Sequence, residues 1–160
     1  MRLLLSLALA VALSTFGCRG EGVDPQKPVP TSSAQIEELT KQGVVWNDAE
    51  VRAYYLKQVA AIGPANDKWK AEKVPAEERA RRAFNMRHEA RENARAMMHD
   101  KLEVDALRAR DLQKYGHAEG PAFYELVTKN QERGLTGDAV YEAIVESAQN
   151  TNTLVNEFTR

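Results

Sequence analysis

The sequence feature that most restricts the fold is the regular recurrence of residues that begin and end helices. Asn47, with Glu50 three residues later, matches the capping box, in which the two residues satisfy each other's backbone N–H groups at a helix start. Asp100 with Glu103 repeats that spacing, and Pro75 suits the first position of a helix. No stretch of useful length alternates with the period of two that marks a half-buried strand. The pattern therefore predicts helices and no sheet.

Apolar residues also recur at helical spacing between these signals. We predict a compact all-α domain, a bundle of five to seven helices over residues 34–160, behind a signal peptide (1–17) and a flexible tether (18–33). The predicted helices are 34–42, 47–62, a short one over 64–73, 75–99, 100–115, 121–133 and one that starts at 136–138. Residues 151–158 either continue the last helix or form a separate turn.

Residues 1–17 have the layout of a secretory signal. Arg2 supplies a positive start, and residues 3–13 form an uncharged apolar run that is too short to span a bilayer as an ordinary helix. Small residues follow and end at Gly17 and Cys18. These features predict export from the cytoplasm.

The ending Gly17-Cys18 resembles a bacterial lipobox, although Thr15 and Phe16 stand where Leu and Ala are commonest. In such signals the cysteine becomes the acylated first residue of the mature chain. Cys18 is the only cysteine, so an exported chain has no internal disulfide to form with it. The resemblance implies attachment to the lipid bilayer through acylated Cys18 and, because Arg19 rather than aspartate follows, a place at the outer membrane facing the periplasm or the cell surface. The alternative is an ordinary signal peptide cut nearby, which leaves a spare thiol.

Residues 18–33 contain three prolines, two glycines and almost no large apolar residues. This composition disfavours a helix or a strand, and it predicts an extended tether between the lipid and the folded part. An arm ordered on the domain surface is the alternative. The remaining residues, 34–160, have the length of one domain and can bury a core without a metal or a disulfide.

Charge is unevenly distributed along the domain, although the net charge of the chain is −1. Residues 79–95 hold six arginines against two glutamates, whereas residues 119–160 hold seven acids against three cations. This polarity indicates either two faces that pack together or a basic face that meets an anionic partner.

The helix predicted over 75–99 carries the strongest chemical signal in the domain. One of its faces, opposite the apolar stripe, holds polar residues at steps of three and four: Arg81, Asn85, His88, Glu92, Arg95 and His99. Arginine matches phosphate oxygens and histidine exchanges a proton near neutral pH, which are the elements of a metal-independent nuclease. The alternatives are a solvated face laced by Glu–Arg pairs and a basic surface that touches anionic lipid headgroups.

Metal and cofactor motifs have little support in this sequence. The run 88–92 comes within one residue of the zinc-protease pattern HExxH, but its second histidine is missing. There is no Gly-rich phosphate loop, no GxSxG elbow and no cysteine left for nucleophilic catalysis. We therefore predict no metal and no cofactor.

The loop 114–121 is a second candidate site. His117 and Glu119 lie between Gly116 and Gly120, and functional residues concentrate in such loops. The two glycines are explained as a helix stop and a helix start, which leaves His117 as the residue that suggests function. The candidate catalytic residues are His88, Arg91, Arg95, His99 and His117.

Three segments, MRHEARENARAMM, KYGHAEGPAFYELV and GLTGDAVYEAIVESAQNTNTLVN, resemble a helical module of the C-terminal domains of bacterial polymorphic toxins. The resemblance covers residues 75–160. It implies an effector domain that acts on neighbouring cells, with nucleic acid as its target and a cognate immunity protein as a partner. The residues it implicates are Arg87, His88, Arg91, Arg95, His99 and His117.

Two functions are thus open at this point. The first is a lipid-anchored toxin that carries this effector domain. The second is a non-enzymatic periplasmic lipoprotein, a chaperone, immunity factor or envelope scaffold, whose arginines pair with the acidic surface of a partner protein.

Overall fold

The computed structural model describes residues 22–151, and within that range the chain is helical and contains no strand. This confirms the predicted all-α bundle. The helices of the range are α1 (Ser33–Lys41), α2 (Asp48–Ala60), α3 (Ile62–Ala71), α4 (Ala76–Met97), α5 (Lys101–Tyr115), α6 (Phe123–Glu132) and α7 (Asp138–Gln149). The predicted signal peptide, Cys18 and most of the segment 151–158 lie outside the described residues. Between residues 22 and 151, no helix combines the length and apolar character needed to cross a membrane.

Most helix boundaries fall where the capping residues place them. Asn47 and Glu50 form a complete capping box at the start of α2, and the side chain of Asp100 accepts hydrogen bonds from two backbone N–H groups at the start of α5. The break between α2 and α3 falls at Ala61, slightly before the predicted position. Pro64 is accommodated in the first turn of α3 because the N–H that it lacks has no helical partner there.

The central element of the bundle is α4, which packs against α1, α2, α3 and α7. Its inward alanines, including Ala80, Ala83, Ala90 and Ala94, are at most 3% exposed. Small side chains let neighbouring helices approach closely, and larger residues from α2, α3 and α7 complete the core, among them Tyr55, Val59, Ile62, Ile144 and Val145. Because neighbours cover it on several sides, α4 sets the positions of the other helices.

Residues 22–32, predicted as part of the tether, lie as an irregular arm, with one turn at residues 24–27, against the start of α2. The Lys27 ammonium donates to a carboxylate oxygen of Glu50 at 2.6 Å, and the Trp46 indole N–H donates to the Pro28 carbonyl at 3.3 Å. Pro30 is fully buried. The composition indicates correctly that this segment forms neither helix nor strand, but its rings and polar atoms find partners on the domain.

Glu50 holds the arm on the domain by accepting hydrogen bonds from it. Burial raises the pKa of its carboxyl, but the hydrogen bonds from Lys27 and from the backbone N–H groups of Asn47 and Asp24 together hold that pKa below its ordinary value. A lowered carboxyl pKa contributes stability above the unfolded-state pKa, and this contribution is lost as the pH falls through the folded-state pKa. The hydrogen bonds of Glu50 therefore stabilise the attachment of the arm at neutral pH, and this stabilisation is lost in acid.

Candidate anion-binding cleft

A cavity of about 680 Å³ opens between α4, α5, α6 and α7, and we call it the cationic cleft. Its volume lies within the range of small-molecule sites. The polar residues of its lining include His88, Arg91, Arg110, Lys114, Tyr115, Lys129 and Ser147. Its apolar wall is formed by Phe84, Pro121, Leu126 and Ile144.

Cations converge on the cleft from α5 and α6. Arg110 and Lys114 are one helical turn apart and so share a face of α5. The ammonium groups of Lys114 and Lys129 lie over the same Tyr115 ring, 4.9 and 5.3 Å from its centroid. Lys129 also donates to the Glu125 carboxylate at 2.7 Å, and this hydrogen bond raises the pKa of Lys129. The two ammonium groups bring positive charge to the same ring, and the Glu125 carboxylate offsets part of the charge of Lys129.

Arg87 connects α4 and α7, two of the helices that line the cleft. Its Nη1 donates to the carbonyls of Ala148 at 2.8 Å and Asn150 at 2.7 Å, and more weakly to that of Ser147. These carbonyls belong to the C-terminal end of α7, where the helix dipole favours a cation. Arg87 thus joins α4 to α7, and this is a structural role.

The guanidinium of Arg91 lies directly against Gly120, and both residues line the cleft. Its Nη1 donates to the Glu119 carbonyl at 2.8 Å. Gly120 has a φ of +102°, and a Cβ built there would lie 2.6 Å from the same nitrogen. Any larger residue at this position would have to displace the guanidinium, so the glycine makes room for Arg91.

Arg95 does not have the solvent-facing position that its place in the polar row predicts, and only 1% of its surface is exposed. It forms an ion pair with Asp111 and donates to the Ala118 carbonyl at 3.1 Å and to Glu92 at 3.2 Å. Arg95 is buried because α5 and the loop before α6 cover this end of the polar row. Arg95 is therefore a core residue that ties α4 to α5.

The histidines are divided between different parts of the surface. His88 lines the cleft, and its ring is stacked on Phe84 with the planes 10° apart. His99 is exposed just beyond the end of α4, beside the start of α2, and His117 is exposed on the loop before α6. The structure brings His88 and Arg91 together in the cleft and places the other two histidines outside it.

Arg110, Lys114 and Lys129 are three of the five cations that line the cleft. The sequence analysis did not name Arg110 or Lys129, and it included Lys114 only as the first residue of the candidate loop 114–121. The one-turn spacing of Arg110 and Lys114 on a predicted helix was a signal that could have found two of them. Nothing in the sequence indicates that α6 brings Lys129 to the same cavity. Within residues 22–151, no three His, Cys, Asp or Glu side chains form a group that could hold a metal ion.

No protein-family model, curated protein or solved structure matches this chain.

Proposed function

We propose that this chain is an exported lipoprotein, anchored through acylated Cys18, whose helical domain binds a small oxyanion-bearing ligand in the cationic cleft. The observation that carries the binding role is the convergence of Arg110, Lys114 and Lys129 on one cavity. The leader and the lone cysteine support the anchor. This role is non-enzymatic, like the second function predicted from the sequence, but its ligand is a small oxyanion and not the acidic surface of a partner protein.

The chemistry of the lining fits a carboxylate or a phosphate. A guanidinium offers a planar pair of donors, and ammonium groups supply compact charge. The one carboxylate of the lining, Asp111, pairs with Arg95 and Arg110, and Glu125 pairs with Lys129. The five cations of the lining still outnumber these carboxylates. The apolar wall around Phe84 and Leu126 suits the apolar part of such a ligand. A nucleic acid binds mainly through many cations spread along an open surface, so the cleft favours a small ligand over a nucleic acid.

An anionic aromatic dye, anilinonaphthalene sulfonate, combines the two chemical features of this ligand class. We expect Lys129→Glu to weaken its binding about tenfold, because an attractive charge in the cleft becomes a repulsive one. Fluorescence titration of the chain without its leader measures the Kd. Displacement of the dye by inorganic phosphate or by acetate, at constant ionic strength, distinguishes a phosphate site from a carboxylate site.

The matched control is Lys41→Glu, which makes the same charge change on α1, where Lys41 forms an exposed ion pair with Glu37. This control should leave the dye affinity nearly unchanged. An equal loss of dye affinity in the two variants would mean that the dye responds only to net charge. The cleft would then be rejected as the binding site.

A lipid-anchored toxin that attacks nucleic acid in neighbouring cells is a second proposal, favoured by the position of His88 beside Arg91, a proton acceptor next to a cation. Expression of residues 19–160 in a bacterial cytoplasm, without an immunity protein, is then expected to stop growth. His88→Ala should restore growth, whereas His117→Ala, outside the cleft, should not. Normal growth with the parent chain would reject the toxin. The expressed range includes the arm because the arm packs on the domain.

A further inference from the structure

Four apolar side chains are exposed around the arm. Val23, Val29, Val45 and Leu56 are between 38% and 56% exposed, and we call these four residues the arm face. Val23 and Val29 line one cavity and Val45 and Leu56 line another, and the two cavities share Lys27 and Trp46 in their linings. The arm face is therefore one continuous region of the surface.

The arm is fixed to the domain from its first described residue. The Asn47 side-chain amide donates to the Gly22 carbonyl at 3.1 Å, and the Asp24 N–H donates to Glu50 at 3.2 Å. Lys27 reaches Glu50 and also the Val45 carbonyl, at 2.9 Å. The chain is thus attached to the domain at Gly22, close to the arm face.

This attachment leaves only a short connection to the anchoring cysteine. Gly22 follows Cys18 by four residues, which span at most about 14 Å when fully extended. A folded domain of this length is roughly 35 Å across. With acyl chains on Cys18 in the bilayer, the domain cannot turn freely, and the region around the arm must stay near the lipid.

We propose that the arm face docks on the lipid bilayer and fixes the orientation of the domain; this inference depends on the proposed acylation of Cys18. The exposed valines and Leu56 supply the apolar contact. Lys27, Arg52 and Lys57 are balanced on this side by Asp24, Asp48 and Glu50, all lining the two cavities. The contact therefore depends on apolar insertion and the short connection, and it changes little with salt.

The docked orientation turns the cationic cleft away from the membrane. Met97 of α4 lies under the arm, and His88 of the same helix lines the cleft. The two are nine residues apart, which is two and a half helical turns, so they lie on opposite sides of α4. The cleft then opens toward the aqueous compartment, where a dissolved ligand can reach it.

The test uses the full-length acylated chain in vesicles of phosphatidylethanolamine and phosphatidylglycerol, some of which carry a nitroxide near the headgroup. A fluorophore is attached to a cysteine introduced as Val45→Cys, since acylation consumes the Cys18 thiol. The control is Tyr124→Cys, also highly exposed. Tyr124 contacts Arg81, which precedes Met97 by 16 residues, or about 24 Å along α4.

Docking predicts that the nitroxide quenches the Val45→Cys label at least about twofold more than the Tyr124→Cys label, and that adding Val29→Asp reduces this difference. Equal quenching in an acylated chain would overturn the inference and leave the anchor standing. A separate measurement identifies failure of the anchor itself: a fatty-acid analogue should label the parent chain and not Cys18→Ser. If neither chain is labelled, or both are, the proposed anchor fails and the docking proposal fails with it.

Discussion

Replacing Asp111 with alanine is expected to lower the free energy of unfolding by about 3 kcal/mol, because the change leaves the charge of Arg95 buried without its main partner. Arg95 is 1% exposed and its guanidinium pairs with the Asp111 carboxylate. Glu92 remains in contact with Arg95 at 3.2 Å, which limits the loss. Urea unfolding followed by circular dichroism measures the change.

The matched control for Asp111→Ala is Glu78→Ala. Glu78 forms an ion pair with Arg82 in which the two side chains are 47% and 43% exposed, and such surface pairs contribute at most about 0.5 kcal/mol. The double variant Arg95→Met with Asp111→Leu removes both charges and should recover much of the lost stability. If Asp111→Ala unfolds no more easily than Glu78→Ala, the pair is not the buried junction between α4 and α5 that the structure indicates.

The helices were predictable from the sequence because the signals that set them are local. Asn47 and Glu50 satisfy each other within one turn, and Gly116 ends α5 by adopting a left-handed conformation that its own lack of a side chain permits. Such signals depend on residues three or four apart. They operate whatever the rest of the chain does, and they place each helix to within a few residues.

The candidate site was only partly predictable, because periodicity shows which residues share a face and not what covers that face. Arg95 does lie in a polar row of α4, yet α5 and the loop before α6 bury it. His88 lies in the same row and opens onto the cleft. The difference between them depends on contacts between residues 16 or more apart, such as Arg95 with Asp111, which no local pattern records.

The arm illustrates a different limit of sequence reasoning. A segment rich in proline and poor in apolar residues cannot build helix or strand, but it can still lie on a surface that offers hydrogen-bond partners. Glu50 and Trp46 offer them here. Both residues lie beyond the segment itself, so its composition alone could not reveal the contact. From Gly22 onward the predicted tether is an arm on the domain.

Gly120→Ala is expected to cost about 3 kcal/mol of stability and to weaken binding in the cleft. Part of the cost is backbone strain, because φ at this position is +102°. The rest comes from Arg91, whose guanidinium nitrogen lies where the new methyl group would be and whose hydrogen bond to the Glu119 carbonyl would be lost. Arg91 already lines the cleft. Without this hydrogen bond its charge would no longer be held at a fixed position there, which weakens the binding of an anion.

Gly116→Ala separates these two contributions. Gly116 lies in the same loop region with a φ of +76°, but no atom lies within 4 Å of the position of its missing Cβ. Backbone strain alone should therefore lower the free energy of unfolding of this variant by about 1 kcal/mol, and its affinity for the anionic dye should be normal. Urea unfolding and dye titration of both variants give the comparison. Equal destabilisation with unchanged dye binding would show that Arg91 does not depend on the space that Gly120 leaves, whereas a larger loss for Gly120→Ala in both measurements would link the backbone of this loop directly to the charge of the cleft.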